Sequence, residues 1–97
     1  MKLLKTGTAG TMESNDIMVT LEPKETGGVQ IALSSSVMQQ FGRQIEAVIR
    51  QTLAELGVAH VAVDAVDKGA LDCTVRARVH TAAYRAAEDQ KYDWGAK

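Results

Sequence analysis

A long amphipathic stretch, residues 36–56, limits the possible folds of this chain more than any other feature. Its apolar positions recur at the three- and four-residue spacing of a helix with one buried face: Met38, Phe41, Ile45, Val48, Ile49, Thr52, Leu53 and Leu56. Ser36 followed by Gln39 matches a capping box at the start, and Gly57 is suited to end the helix. The sequence therefore predicts one long helix that packs through this face.

Two apolar alternations before the helix predict a pair of strands. Residues 17–22 alternate large apolar side chains with Met, Thr and Glu, and residues 29–34 repeat the pattern. Pro23 ends the first run because proline cannot donate to a sheet ladder, and Gly27-Gly28 supplies a flexible turn. Their closeness in sequence predicts an antiparallel hairpin.

The chain after the long helix contains one further strand and one ambiguous segment. Residues 58–66 are predicted as a third strand, and residues 71–80 alternate five times, which predicts a fourth strand paired with the third across a turn at 67–70. A helix competes with this strand because five apolar residues also share a helical face: Leu71, Val75, Val79, Ala82 and Ala86. The strand is preferred up to residue 80, followed by a helix over 81–89 and a loose tail over 90–97.

These elements define a single small α+β domain spanning residues 1–97, with the order β-β-α-β-β-α. We expect an antiparallel or mixed sheet with helices on one face, preceded by a loop over residues 1–16. If the second strand, the long helix and the third strand form a parallel unit, the crossover should be right-handed.

Composition excludes several classes of partner. The net charge is −1, so neither nucleic acid nor an anionic membrane is expected, and the 4% aromatic content leaves little for base stacking. No apolar run approaches the ~20 residues that span a bilayer. A single Cys and the lack of a visible signal peptide indicate a reducing, cytoplasmic setting.

The sequence contains no recognisable catalytic or metal-binding constellation. His60 and His80 are predicted to face solvent from strands, and Cys73 is predicted to be a buried small side chain. Arg76 and Arg78 would share one strand face, which is either a solvated surface or a surface that binds phosphate or another subunit. We therefore expect no catalytic residue, no metal ligand and no enzymatic activity of the chain by itself.

One loop, residues 9–16, carries an exposed serine ahead of the first predicted strand. Gly10 loosens the backbone, and Asn15-Asp16 favours a turn, so Ser14 should be accessible. No general base stands at a fixed spacing from it, which argues against a self-contained nucleophile. Physically this is an ordinary polar loop, in which Glu13 and Asp16 are either turn formers or recognition elements.

Three separated motifs nevertheless resemble the acyl carrier protein, or gamma subunit, of citrate lyase. They are Gly-Thr-Met-Glu-Ser-Asn-Asp at 10–16, Gln-Phe-Gly at 40–42, and Asp-Lys-Gly-Ala-Leu-Asp-Cys at 67–73 with Arg-Ala-Arg at 76–78. The resemblance covers nearly the whole chain and is weakest from residue 88 onward.

The resemblance implies a specific attachment. Ser14 occupies the position that carries phosphoribosyl-dephospho-CoA through a phosphodiester, and the thiol of this arm holds acetyl and then citryl groups as thioesters. It also implies partners: an alpha subunit that transfers the acyl group, a beta subunit that cleaves the citryl thioester to oxaloacetate, and a transferase that attaches the prosthetic group. The chain itself would be a non-catalytic carrier.

Two alternatives remain open from the residues. One is an unmodified α+β module that binds a metabolite or a protein, and the other is the carrier of a related malonate decarboxylase system. Ser34, Ser35 and Ser36 compete with Ser14 as modified serines, although helix capping already accounts for Ser36.

Overall fold

The computed structural model describes residues 1–87, which form a four-stranded sheet and two helices. The chain order is β1 (Gly7–Ala9), β2 (Ile17–Pro23), β3 (Val29–Ser35), α1 (Met38–Glu55), β4 (Val61–Asp67) and α2 (Asp72–Ala87). The sheet order is β1-β2-β4-β3, in which β4 pairs antiparallel with β2 and parallel with β3. The predicted class, a small α+β domain with a mixed sheet, is confirmed, although the observed order is β-β-β-α-β-α.

The core lies between one face of the sheet and both helices. Every second residue of β2 and β4 is buried, so Val19 pairs with Ala65 and Leu21 with Val63 on the covered face. Ile49 and Leu53 of α1 are fully buried against this layer. Neither helix among residues 1–87 is long and apolar enough to cross a membrane.

The predicted hairpin of the first two strands is wrong, because β4 lies between β2 and β3. Its alternating apolar face is buried, and its backbone pairs with a strand on either side. Residues 24–28, which join β2 to β3, can extend to about 17 Å and so cross two strand spacings of about 5 Å each. The parallel β3–α1–β4 unit, left conditional by the sequence, is present.

The predicted fourth strand over residues 71–80 is also wrong, and the competing helix is observed as α2. Its buried face begins with Val75 and Val79 and continues past the predicted boundary at residue 80 through Ala82, Ala83 and Ala86. A buried stripe at helical spacing that is sustained over about three turns outweighs an alternation of five apolar residues. The predicted helix end at 88–89 and the tail at 90–97 lie outside the described residues.

Three smaller predictions need correction. The segment 1–16 is not one loop, since it contains β1. Ser36 does not cap α1, whose N-cap residue is Val37 with no side-chain cap bond. Met38 and Phe41, assigned to the buried helical face, are 46% and 52% exposed. Gly57 follows the helix with φ 73, as predicted for its end.

Candidate functional site

Ser14 lies on the loop 10–16 that joins β1 to β2, and its side chain is exposed. Its hydroxyl makes no hydrogen bond within residues 1–87. The predicted placement of this serine, in an exposed loop ahead of a strand that begins at Ile17, is confirmed. The loop therefore presents a free primary hydroxyl to any reacting partner.

The backbone of the loop is fixed to the segment that follows β4. Asn15 N donates to Lys68 O at 2.8 Å, and Lys68 N donates to Asp16 O at 2.8 Å. Asn15 adopts φ 65, a left-handed conformation that Asn tolerates better than most residues. These reciprocal bonds hold the residue next to Ser14 in place and leave Ser14 itself outside them.

Asp16 is the main side-chain anchor of the loop, and it is 9% exposed. Arg78 of α2 binds it in bidentate fashion, with Nε 2.9 Å from Oδ1 and Nη2 3.1 Å from Oδ2. Thr11 Oγ1 donates to Oδ2 and Ile17 N donates to Oδ1, each at 2.7 Å. A bidentate guanidinium–carboxylate pair combines charge with fixed geometry, so it ties the loop rigidly to α2.

The electrostatics of Asp16 follow from these contacts. The Arg78 hydrogen bonds lower its pKa to about 2, with further lowering from Thr11 and Ile17, while desolvation opposes the shift. Asp16 is thus ionised and its oxygens already accept four hydrogen bonds, so it is a weak base. Its role in the loop is structural.

A second carboxylate, Asp67, organises the neighbouring segment and is 1% exposed. Ser35 Oγ donates to Oδ2 at 2.8 Å, and Gly69 N and Ala70 N donate to its two oxygens at 3.0 Å each. Ser36 N also donates to the Asp67 carbonyl at 3.1 Å. Asp67 therefore joins the end of β3 to the loop that contacts the Ser14 loop.

Gly10 permits the close approach of the two ends of the Ser14 loop. A Cβ added at this position would lie 1.8 Å from Ile17 O, and φ is +96. Both facts require glycine here.

The structure separates residues that the sequence placed together. Arg76 binds Glu55 of α1, whereas Arg78 binds Asp16, so the two arginines do not form one patch.

Cys73 is exposed at the start of α2, which corrects its predicted burial. His60 Nδ1 accepts a hydrogen bond from Gly28 N in a loop, and His80 is half-buried in α2. Within residues 1–87, no three His, Cys, Asp or Glu side chains cluster to hold a metal ion.

The sequence did not predict that Asp16 and Asp67 hold the Ser14 loop and the segment after β4 in place. From the sequence, Asp16 is a turn former or a recognition element and Asp67 belongs to a turn at 67–70, because a turn already accounts for Asp beside Asn or Gly. One signal was present: each Asp stands at the end of an apolar strand, where buried donors need an acceptor. Ile17 and Asp67 are in fact register partners.

The fold has a solved counterpart. A chain in the crystal structure of a Pseudomonas malonate decarboxylase hetero-tetramer in complex with malonate matches with a TM-score of 0.66, at 22% sequence identity. The match covers 84% of this chain and 88% of that chain. At this identity the likeness concerns the fold alone.

The family comparisons agree along nearly the full length. A family model described as "Malonate decarboxylase delta subunit (MdcD)" matches residues 4–86. The citrate lyase acyl carrier proteins of Lacticaseibacillus casei and Streptococcus mutans are 56% and 53% identical over 94 residues, which is 97% of this chain and 92% of each relative. Citrate lyase acyl carrier protein 2 of Salmonella typhimurium is 50% identical over 96 residues, 99% of both chains. The chain therefore belongs to the citrate lyase acyl carrier protein family.

Proposed function

We propose that this chain is the acyl carrier subunit of citrate lyase and that Ser14 carries phosphoribosyl-dephospho-CoA through a phosphodiester. One observation carries the proposal: in a chain of this family, the loop 10–16 presents a single free serine hydroxyl on an anchored backbone. Loop residues on both sides of Ser14 are bound to the fold, whereas its own side chain is exposed.

The residues present fit a covalent arm. A phosphodiester at Ser14 Oγ needs an accessible hydroxyl and no rearrangement of the fold, and this hydroxyl has no hydrogen-bond partner to lose within residues 1–87. When attached, the arm supplies a terminal thiol that holds acetyl and citryl groups as thioesters. The chain itself contributes the attachment point and its orientation.

The remaining roles belong to partner proteins in this proposal. Asp16 is committed to Arg78 and is a poor base, so proton removal from Ser14 during attachment falls to the transferase. An alpha subunit then exchanges acetyl for citryl, and a beta subunit cleaves the citryl thioester to oxaloacetate. The carrier is non-catalytic and cytoplasmic, and the tether raises the local concentration of the acyl group at each partner.

Ser14→Ala tests the proposal. The full chain is produced together with its attaching enzymes and the two larger subunits, and its intact mass is measured. Wild type is expected to carry one adduct that maps to Ser14. Ser14→Ala is expected to lack the adduct and all citrate cleavage, while its urea midpoint stays unchanged because an exposed loop hydroxyl contributes little to stability.

Ser36→Ala is the matched control, since Ser36 is also exposed and precedes α1. It is expected to retain the adduct and the activity. An active complex in which Ser14 is unmodified contradicts the proposal, as does an adduct that persists in Ser14→Ala and disappears in Ser36→Ala.

A carrier role in malonate decarboxylase is the second candidate. The description of the matching family model favours it. Reconstitution distinguishes the two, because a citrate lyase carrier supports citrate cleavage with citrate lyase alpha and beta subunits. A malonate decarboxylase carrier supports release of carbon dioxide from malonate with that enzyme's subunits instead.

A further inference from the structure

An open groove lies beside the Ser14 loop and has no role in the function proposed so far. It has a volume of about 900 Å³ and lies between the first turns of α1 and the segment that leads from β4 into α2. Its walls include Val37, Gln40, Phe41, Ile45, Leu71 and Cys73. This volume is in the range of about 300–1,000 Å³ that small-molecule sites occupy.

The groove and Ser14 lie at the same edge of the sheet, which is formed by the start of β2 and the ends of β3 and β4. Ile17, Asp67 and Ser35 lie side by side in the register of β2, β4 and β3, so the Ser14 loop, the α1 entry and the α2 entry meet there. Lys68, which bonds to the residues after Ser14, is directly followed by the groove wall at Gly69. Cys73 is five residues beyond Lys68, hence at most about 18 Å away.

The chemistry of the groove indicates what it can hold. Phe41 and Leu71 are 52% and 70% exposed, which is costly for large apolar side chains that meet only water. Among the described lining residues Asp72 alone is charged, and its carboxylate accepts a hydrogen bond from Gln44 Nε2 at 2.8 Å. The groove therefore disfavours phosphate and suits an uncharged ligand with both apolar and amide groups.

We propose that this groove holds the pantetheine end of the arm carried by Ser14, with its terminal thiol or thioester beside Cys73. The inference rests on the proposed function. The pantetheine portion is uncharged, has two methyl groups for Phe41 and Leu71, and has two amides for Gln40. The tether at Ser14 supplies a high effective concentration, so a weak site is sufficient.

A second groove provides the contrast. It has a volume of about 670 Å³ and is lined by Pro23, Lys24, Gly57 and His60, at the opposite edge of the sheet. Pro23 and Val61 are register partners at that edge, a full strand length of about 20 Å from Ser14. An arm that moves freely and does not dock would contact the two grooves at frequencies set only by their distances from Ser14.

Disulfide trapping tests the proposal on the full-length chain bearing the deacylated arm. Intact mass first establishes that Ser14 carries the arm. Diamide then takes up the two hydrogens of a thiol pair as the disulfide forms, and digestion identifies a bond between the arm and the Cys73 peptide. The reference is Cys73→Ser combined with Thr26→Cys, which places an exposed thiol at the opposite edge. Wild type is expected to form its disulfide at least about tenfold faster.

Two controls separate docking from simple reach. In urea the preference is expected to invert, because the loop from Ser14 to residue 26 is much shorter than that to residue 73. Phe41→Ala is expected to slow trapping at Cys73 about tenfold or to the reference rate, whereas Leu4→Ala, equally exposed at the opposite edge, leaves it unchanged. Circular dichroism checks that both variants are folded.

Each other outcome overturns the proposal. Equal trapping at Cys73 and at residue 26 in the folded chain, or no effect of Phe41→Ala, shows that the arm does not use the groove. Protection of Cys73 from iodoacetamide that appears only with added alpha or beta subunit assigns the groove to a partner. Protection of the arm-free chain that rises with its concentration assigns it to a second copy. If the intact mass shows no arm on Ser14, the proposed function fails first and this inference fails with it.

Discussion

Two residues of one loop, separated only by Asn15, have opposite environments. Ser14 is exposed and unbonded among residues 1–87, whereas Asp16 is buried and accepts four hydrogen bonds. The contrast suits the proposed role of Ser14, because an attachment point needs access while its position has to be reproducible. Asp16 supplies the position without restricting the hydroxyl.

The Asp16 carboxylate predicts a specific pH dependence. Its pKa is lowered from 3.8 to about 2, so its contribution to stability is complete above about pH 5 and is lost as pH falls through 3.8 towards 2. Arg78 is 39% exposed, so we expect Asp16→Asn to cost about 1–2 kcal/mol near neutral pH after allowing for screening. Urea unfolding at pH 6 and pH 3 measures this, and the difference between wild type and variant should shrink by about half at pH 3. A difference that is constant with pH contradicts the assignment.

The partner arginine predicts an effect on local order. Arg78→Met removes both hydrogen bonds to Asp16 and leaves the carboxylate without its cation, so amide hydrogen exchange over residues 10–16 should accelerate. Arg76→Met is the matched control, because Arg76 is in the same helix but binds Glu55 of α1. If both variants leave exchange in the loop unchanged, Arg78 does not hold it.

At the scale of elements, helix α2 packs unusually close to the edge strand β1. Leu4 N and Lys5 N both donate to Ala86 O, and Arg85 Nη1 donates to Thr8 O at 2.8 Å. A Cβ added to Gly7 would lie 2.2 Å from Ala82 O and 2.6 Å from Ala86 N. Small residues on both elements therefore allow a helix and a strand to meet at backbone distance.

Gly7→Ala should accordingly displace α2 from β1. The added methyl group meets backbone rather than a flexible side chain, so we expect a loss of about 1–3 kcal/mol in the free energy of unfolding. Thr6→Ala, the exposed neighbouring position, serves as the control and should change stability by less than about 0.5 kcal/mol. Urea denaturation of both variants measures the difference, and equal losses would show that the contact is not tight.

Some of the helices and strands could be predicted from local sequence patterns, and others could not. The helical spacing of residues 36–56 correctly predicted α1, because a stripe of that length has one interpretation. Residues 71–80 satisfied both periods, and the deciding information came from alanines beyond residue 80, which mark a buried face only when a partner is known. The placement of β4 between β2 and β3 was beyond local patterns, since pairing depends on which strand is most buried.

The candidate site, too, was predicted from the sequence only in part. Exposure of Ser14 followed from its polar, glycine-containing surroundings, whereas the proposal that it carries an arm comes from the family resemblance rather than from physics. The pairing of Asp16 with Arg78 joins residues 62 positions apart, and no local pattern encodes such a contact.

At the scale of the whole molecule, three connections meet at one edge of the sheet. Asp67 lies at their centre. Its two carboxylate oxygens accept three hydrogen bonds, one from the Ser35 hydroxyl and two from backbone N–H groups. This arrangement requires a carboxylate, because an amide has one oxygen and would set its NH₂ against at least one donor.

Asp67→Asn should therefore cost about 1–3 kcal/mol of stability despite its nearly identical shape. Asp64→Asn, an exposed substitution on the same strand, should have almost no effect. Thermal and urea unfolding compare the two variants. Similar stability for both would show that the hydrogen bonds of Asp67 do not stabilise this edge of the sheet.

The anchoring of the Ser14 loop by residues 68 and 78 has a consequence for the timing of biosynthesis. Ser14 precedes β4 and α2 in the chain, so it leaves the ribosome before they do, and its loop acquires its shape only after both have been made. An attaching enzyme that reads this shape would pass over nascent, truncated and misfolded chains. The proposed prosthetic group would then be attached only to carriers that have completed folding, without a separate surveillance step.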